Sequence, residues 1–466
     1  MIPNASEWAA QQWAQADLGD KRRTRVAVHL GAKMAANPEA SLPNQMEDPA
    51  ALKAAYRLLN NPHPKVSLKT LLTPHCQQTL AAARQVPLVL MVEDTTELDY
   101  TAHPSKTGLG PIGNGKGRGL LLHSTLAIEP QTRTVLGLAH AQVVLRQATP
   151  KPPPKWTQSP EGRVWAVSAQ AVGRPPEGVT WIHVSDRGSD IFEYMVTCLA
   201  QGKHFLIRAG RNRRLTWETE APEGEQSEAQ ALLDYARSLL PHPASAHTVE
   251  VPARDGQSAR QACLALQWVQ VTIPPPVQAP PEVRQHPPIT VWLVRVWEPD
   301  PPAGVEPLEW ILLCSWPITT ASEAQRVVDW YTCRWFCEDY HQCVKSGCRV
   351  ERSQLDDGAD IQRLLGFTAP IAVRLLQLRQ AARQTPQVPA TTLVDPLMVQ
   401  MLAQRQKKQE WERMTVEEFW RGVARLGGHQ GRRRDGPPGW RTVWRGWRKL
   451  SDLTEGARLF AAWDTS

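Results

Sequence analysis

Residues 86–96 read Val-Pro-Leu-Val-Leu-Met-Val-Glu-Asp-Thr-Thr, a continuous apolar run that closes on an acid at Asp94. A strand with one wet face alternates apolar and polar residues, so an unbroken run of this length predicts a strand covered on both faces. Such strands belong to sheets flanked by helices, which points to an α/β core. A second run, Val-Thr-Trp-Ile-His-Val at 179–184, is followed in the same way by Asp186. Ligands of α/β sheets bind beyond the carboxyl ends of the strands, so both acids are expected at a functional edge.

Outward from these runs the pattern changes. Towards the N-terminus the chain reads as helices. Ser6 is positioned to cap a segment through Trp8 and Trp13, and a second helix opens after Leu18-Gly19-Asp20 with Lys21, Arg22, Arg23 and Arg25. Asp48-Pro49 starts another, with Leu52, Ala55, Tyr56 and Leu59 on one apolar face. Basic residues such as Arg22 and Arg23 suit DNA backbone contacts; a solvated face is the competing reading.

Towards the C-terminus, Leu120–Ile128, Val135–Val144 and His204–Arg208 predict strands, and Tyr194–Leu199 a helix. Residues from about 215 to 305 are proline-rich, with alternating segments at Thr248–Val251, Cys263–Ile273 and Thr290–Trp297, and read as a β-rich insertion. Ile311–Cys314 resumes the core, and one long helix is expected from about Ser322 to Lys345. The remainder is helical and basic. Thr415 and Glu418 form a capping box, Gly427-Gly428 ends that helix, and Trp440, Trp444, Trp447 and Leu450 fall on one face. That stripe suits core or dimer packing; a base-stacking platform is the alternative. The expected domains are a helical DNA-binding unit at 1–72, a catalytic unit at 73–375 carrying the insertion, and a helical dimerisation unit at 376–466.

The chain of 466 residues is 42% hydrophobic, enough for a sizeable core, and carries a net charge of +7. The charge fits a polyanionic partner, but taken alone it favours an ordinary basic soluble protein. No segment has the layout of a signal peptide or the length of a membrane span, so a cytoplasmic, nucleoid-associated protein with no membrane partner is expected. Eight cysteines without paired CxxC knuckles are expected as reduced, metal-free thiols, with zinc as the alternative for the cluster at Cys333, Cys337, Cys343 and Cys348.

Cutting a phosphodiester without a covalent enzyme intermediate requires an activated oxygen nucleophile and a stabilised leaving oxyanion. Two divalent cations supply both, held by carboxylates. Mg²⁺ takes oxygen ligands and few protein contacts, so three acids suffice. Glu338 is the third candidate. At about 100° per residue, Tyr331, Arg334, Glu338, His341 and Lys345 fall within an arc of about 60°, while Cys333 and Cys337 point away. A face carrying an acid among phosphate-binding groups suits phosphoryl transfer; an exposed salt-bridged stripe is the competing reading.

Tyr331-x2-Arg334-x3-Glu338-x6-Lys345 resembles the Y-R-E-K signature of bacterial transposases of insertion sequence family four. Asp94 in Glu-Asp-Thr-Thr and Asp186 in Ser-Asp-Arg-Gly-Ser-Asp-Ile resemble the family's other two acids, and Leu18-Gly19-Asp20-x-Arg22-Arg23, Val373–Arg379 and Ala424–Gly428 extend the likeness over most of the chain. The resemblance implies a ribonuclease-H-like mixed α/β core interrupted by a β insertion and flanked by helical domains. It implies two Mg²⁺ (or Mn²⁺) ions per site on Asp94, Asp186 and Glu338, and phosphate contacts from Tyr331, Arg334, Lys345 and Arg208. A tryptophan of the family stacks on a base flipped during hairpin excision, and Trp310 matches it; core packing is the alternative for Trp310. The implied partners are double-stranded DNA, both element ends and target, and a second copy of the chain in the DNA complex. A nuclease on the same core, or a DNA-binding protein that no longer cuts, are the rival functions.

Overall fold

Strand β1 (Leu88–Asp99) contains the opening run but continues past it, so Asp94 lies within the strand rather than at its end. The strands that follow are β2 (Gly110–Ile112), β3 (Gly117–Glu129), β4 (Thr134–Val144), β5 (Thr180–Ser185), β6 (His204–Arg208), β7 (His247–Val251), β8 (Arg260–Ile273), β9 (Ile289–Trp297) and β10 (Glu309–Cys314). This computed structural model describes residues 4–46, 48–147, 159–216, 231–243, 247–251, 260–432 and 438–464. Parts of the insertion, at 217–230, 244–246 and 252–259, therefore lie outside the described residues. The architecture is mixed α/β, with a large mixed sheet and helical N- and C-terminal regions.

The chain divides into two compact units. One comprises Met1–Ala83, Thr95–Ala148 and Cys337–Ser466; the other comprises Arg84–Asp94 and Thr149–Phe336.

The unit of Arg84–Asp94 and Thr149–Phe336 is organised by the strand order β1–β5–β6–β10–β9–β8–β7. β1, β5 and β6 run parallel, because the chain returns from β5 to β6 through the helix Phe192–Ala200; β10, β9, β8 and β7 continue the sheet antiparallel. Burial on both faces explains the apolar runs: Val89, Leu90, Met91 and Val92 on β1 and Trp181, Ile182 and Val184 on β5 are inaccessible to solvent. The insertion does supply β-strands where expected, and among the described residues they join the large sheet instead of forming one of their own. β9 pairs with β10 from Glu309↔Trp297 to Cys314↔Trp292, so the insertion widens the core sheet, and its described prolines fall in the connections outside the strands.

In the other unit β3 pairs with β2 on one side and with β4 through two register irregularities on the other, and the distal part of β1 lies beside β3. The helix Leu68–Ala83 covers β4, where the Leu138 amide donates to His75 Nε2 at 3.1 Å and His75 Nδ1 meets Gln12 Oε1 at 2.6 Å. Burial lowers the His75 pKa to about 4, so the ring stays neutral.

The first helix, Ala5–Trp13, is capped by Asn4 rather than Ser6: the Asn4 side chain accepts from the amides of Ser6 and Glu7. Both residues are good caps, and the one whose oxygen reaches the free amides sets the boundary. Trp13 is fully buried beneath Gly31, where a Cβ would come within 2.2 Å of its ring. Lys21–Ala36 opens after Asp20, and Pro49–Leu59 after Asp48. The latter buries Ala55, Leu58 and Leu59, leaving Leu52 and Tyr56 half-buried instead of in the core.

At the C-terminal end the helix Val416–Leu426 carries the Thr415–Glu418 capping box. It crosses Trp440–Asp464 so closely that a Cβ on Gly427 would lie 1.8 Å from the Thr442 carbonyl, and one on Gly446 1.7 Å from that of Val423. Trp440, Trp444, Trp447 and Leu450 are buried, and the first two rings stack 4.9 Å apart, so the stripe packs within the protomer.

Candidate active site

The parallel pairing of β1 and β5 ends in the register Val92↔Val184. Asp94 and Asp186 each stand two residues beyond that pair, Asp94 within β1 and Asp186 just past the end of β5. Both are half-buried. Asp186 also caps the short turn that follows, accepting from the Gly188 amide at 2.8 Å.

Around this pair stand three other expected residues. Arg334 reaches Asp94 Oδ2 at 3.5 Å, and its guanidinium lies over the rings of Tyr331 (6.0 Å) and Trp335 (5.1 Å). Tyr331 is buried; its pKa is pushed up to about 12 by burial, against the pull of Arg334 and Arg208. The phenol is therefore a proton donor throughout the working range. Burial, with Arg187 and Arg334 nearby, lowers the Arg208 pKa, and Arg208 Nη2 donates to the Glu309 carbonyl at 2.9 Å.

Trp310 is half-buried on β10 and meets Tyr331 edge-on, ring centroids 5.2 Å apart. Next to it Glu309 is gripped by Arg237 and Arg295, each at 2.9 Å. The expectation of one continuous helix over 322–345 is corrected. The chain forms Ala321–Thr332, breaks at Cys333–Arg334, resumes as Trp335–Gln342 and widens into a π-helical turn at Cys343–Gly347. Tyr331, Arg334, Glu338, His341 and Lys345 accordingly do not share one regular helical arc. His341 is not a phosphate-binding cation: it is 5% exposed, and burial, helped by His123 and Lys345, lowers its pKa to about 3.

Glu338 and Lys345 belong to the other unit. Glu338 is half-buried on the helix Trp335–Gln342, and Lys345 lies 3.8 Å from Glu351 in the π-helical turn. Cys337 and Cys343 are buried, Cys337 Sγ donating to the Ser124 carbonyl at 3.7 Å. Arg22 is exposed on Lys21–Ala36, whereas Arg23 is half-buried and clamps the preceding turn by donating to the Leu18 carbonyl at 3.0 Å.

Several residues that no motif marks complete this neighbourhood. Arg187 directly follows Asp186 and is exposed; Trp335 is 48% exposed beside Arg334. Asp190 is wholly buried and accepts from the amides of Gly210 (2.9 Å) and Arg211 (2.8 Å) and from Arg213 Nε (3.0 Å). Its position four residues after a strand-end acid was the one available signal.

Among the described residues no group of three or more His, Cys, Asp or Glu side chains is disposed around a metal position. The donor set that the parallel strands do provide, two carboxylates with cationic neighbours, is the hard-oxygen chemistry that Mg²⁺ and Mn²⁺ accept.

Residues 5–63 match the family described as transposase DNA-binding, and residues 370–465 match the transposase Tn5 dimerisation domain. Both matches are transposase domains. Together they support a DNA transposase that binds DNA and pairs with a second copy. Among solved structures the chain is similar to piggyBac transposase in a cryo-EM structure of its synaptic complex with hairpin DNA, at 10% identity and a TM-score of 0.35, over 96% of this chain and 78% of that one. No helix among the described residues is long and apolar enough to cross a membrane.

Proposed function

We propose that this chain is a cut-and-paste transposase with a ribonuclease-H-like core, related to insertion sequence family four. It binds the terminal repeats of a mobile element, nicks them, excises the element through a hairpin and joins the ends to target DNA. The observation that carries this reading is that Asp94 and Asp186 each follow the last β1–β5 pair by two residues, in a chain whose two ends match transposase domains.

Asp94, Asp186 and Glu338 are the residues that would hold two Mg²⁺ or Mn²⁺ ions; Glu338 joins the set through its motif with Tyr331, Arg334 and Lys345. Bound ions of this kind activate the attacking oxygen and stabilise the leaving one. Arg334 and Arg208 neutralise the phosphates flanking the cut, and the protonated Tyr331 hydroxyl donates to a phosphate oxygen. Lys345 extends this grip. Trp310 offers a ring face to an extruded base. Arg22, with Lys21 and Arg25 along the same exposed helix, contributes backbone contacts to the terminal repeat, and Arg23 shapes the turn that presents them. Leu459, Phe460 and Trp463 are 68%, 66% and 77% exposed near the C-terminus, an apolar surface suited to a second copy.

Purified protein incubated with Mg²⁺ and DNA carrying the terminal repeats tests the reading. Strand-transfer products are expected; nicks alone would make it a nuclease, and a mobility shift without cleavage a DNA-binding protein. Asp94→Ala, Asp186→Ala and Glu338→Ala should each abolish cleavage while end binding survives, and wild-type cleavage by any of them would remove that residue from the site.

A further inference from the structure

Beneath the two aspartates lies a set of polar side chains that the proposed chemistry leaves unused. Glu93, His183, Ser185, Ser189 and Tyr194 are all inaccessible to solvent. Burying polar groups is costly unless they bond to one another, and these do. His183 Nδ1 pairs with Glu93 Oε1. The Tyr194 hydroxyl donates to the same oxygen at 3.1 Å and also meets the Ser185 hydroxyl. Ser185 Oγ lies 2.6 Å from Ser189 Oγ, and Ser189 Oγ donates to the Asp186 carbonyl at 2.8 Å.

Burial and the adjacent Glu93 raise the Tyr194 pKa well above its ordinary value, so the phenol keeps its proton as a donor. The three hydroxyl protons then have defined uses: Tyr194 to Glu93, Ser189 to Asp186, and Ser185 to either Ser189 or Tyr194.

The chain of contacts has a specific geography. It starts on the residue covalently preceding Asp94 and ends on the backbone of Asp186, crossing from β1 through the helix Phe192–Ala200 to the end of β5. Apolar side chains would fill the same volume, but they tolerate small slides of one strand along another. A run of directional bonds does not.

We propose that Glu93, Tyr194, Ser185 and Ser189 form a positioning relay that fixes the separation of the Asp94 and Asp186 carboxylates for divalent-cation binding. This rests on the reading that those two aspartates hold metal. Outer groups that orient metal ligands typically change metal affinity by about 10- to 100-fold when removed.

Mn²⁺ binding to the 466-residue chain, measured by paramagnetic resonance of the free ion well below the melting temperature, provides the test. Tyr194→Phe keeps the ring and removes only the hydroxyl; Ser189→Ala removes the far end of the relay, so each variant reads the proposal should the other fail to fold. Each should weaken Mn²⁺ binding about tenfold while DNA-end affinity stays within about twofold of the parent. Asp94→Ala separates the two levels. If it abolishes Mn²⁺ binding while Tyr194→Phe and Ser189→Ala bind as the parent does, the relay is packing alone and the proposal falls. If Asp94→Ala also leaves Mn²⁺ binding intact, the metal-site reading itself is wrong.

Discussion

Replacing Asp190 by alanine should destabilise the protein by about 3–5 kcal/mol, the cost typical of breaking a buried ion pair by removing one partner. The carboxylate is wholly buried and Arg213, its ion-pair partner, is 9% exposed, so water cannot take over the lost bonds. The substitution strands that guanidinium and also leaves the Gly210 and Arg211 amides without their acceptor. Asp190→Asn retains one acceptor oxygen but turns a donor towards donors, and should cost less than alanine. Urea-induced unfolding followed by tryptophan fluorescence measures the difference. The decisive comparison is a double variant: Asp190→Leu with Arg213→Met removes both charges together and should recover most of the loss, because the penalty lies in the orphaned charge rather than in the missing attraction. A cost below about 1 kcal/mol for alanine, or a double variant no better than the single one, would show that the pair is not desolvated as described.

Trp310→Ala should leave first-strand nicking nearly intact and slow hairpin formation by about ten- to a hundredfold, the value of one lost base stack, with an abasic nucleotide at the flipped position partly restoring the rate; parallel loss of both steps on denaturing gels would make Trp310 a packing residue. Because His75 is neutral when folded, with its pKa lowered to about 4 from an ordinary 6.5, only the unfolded chain takes up its proton between these values. Its contribution is therefore complete above about pH 6.5 and is lost as pH falls towards 4, by about 3 kcal/mol in all, and urea titrations of His75→Gln against the parent should show the difference in slope. End binding should weaken about a thousandfold between 50 and 200 mM salt if about six phosphates are neutralised, and a flat dependence in a filter or mobility assay would contradict the DNA contacts.

The sequence makes the buried strands visible because burial on both faces leaves an unbroken apolar run, and it marks Asp94 and Asp186 by the abrupt acid that follows. It hides where β1 ends. The apolar run stops at Val92, where β5 ceases to be the partner, yet the strand continues to Asp99 beside β3 with half-buried residues of mixed polarity. The break at Cys333–Arg334 is equally hidden, since neither proline nor glycine stands there to announce it. Glu93 is hidden as well, because an acid next to Asp94 looks like part of the same polar edge. Strand parity sends its side chain to the opposite face, where only tertiary structure supplies His183 and Tyr194. The β-rich composition of the insertion was legible, but not its full-length pairing with β10, because register between distant strands leaves no local trace.

That pairing decides how the insertion can be handled. A segment attached through loops could be exchanged between relatives like a cassette, but here its strand β9 is the hydrogen-bonding partner of the strand that carries Trp310. Glu309 bolts the two sides together, its carboxylate held by Arg237 and Arg295 from the insertion and its carbonyl by Arg208 from the core. Excising the segment would uncover a row of unpaired amides and carbonyls along β10, an adhesive edge prone to aggregation. A shortened enzyme would have to keep β9 and its arginine, so the least that can be trimmed is set by the sheet and not by the proline-rich turns.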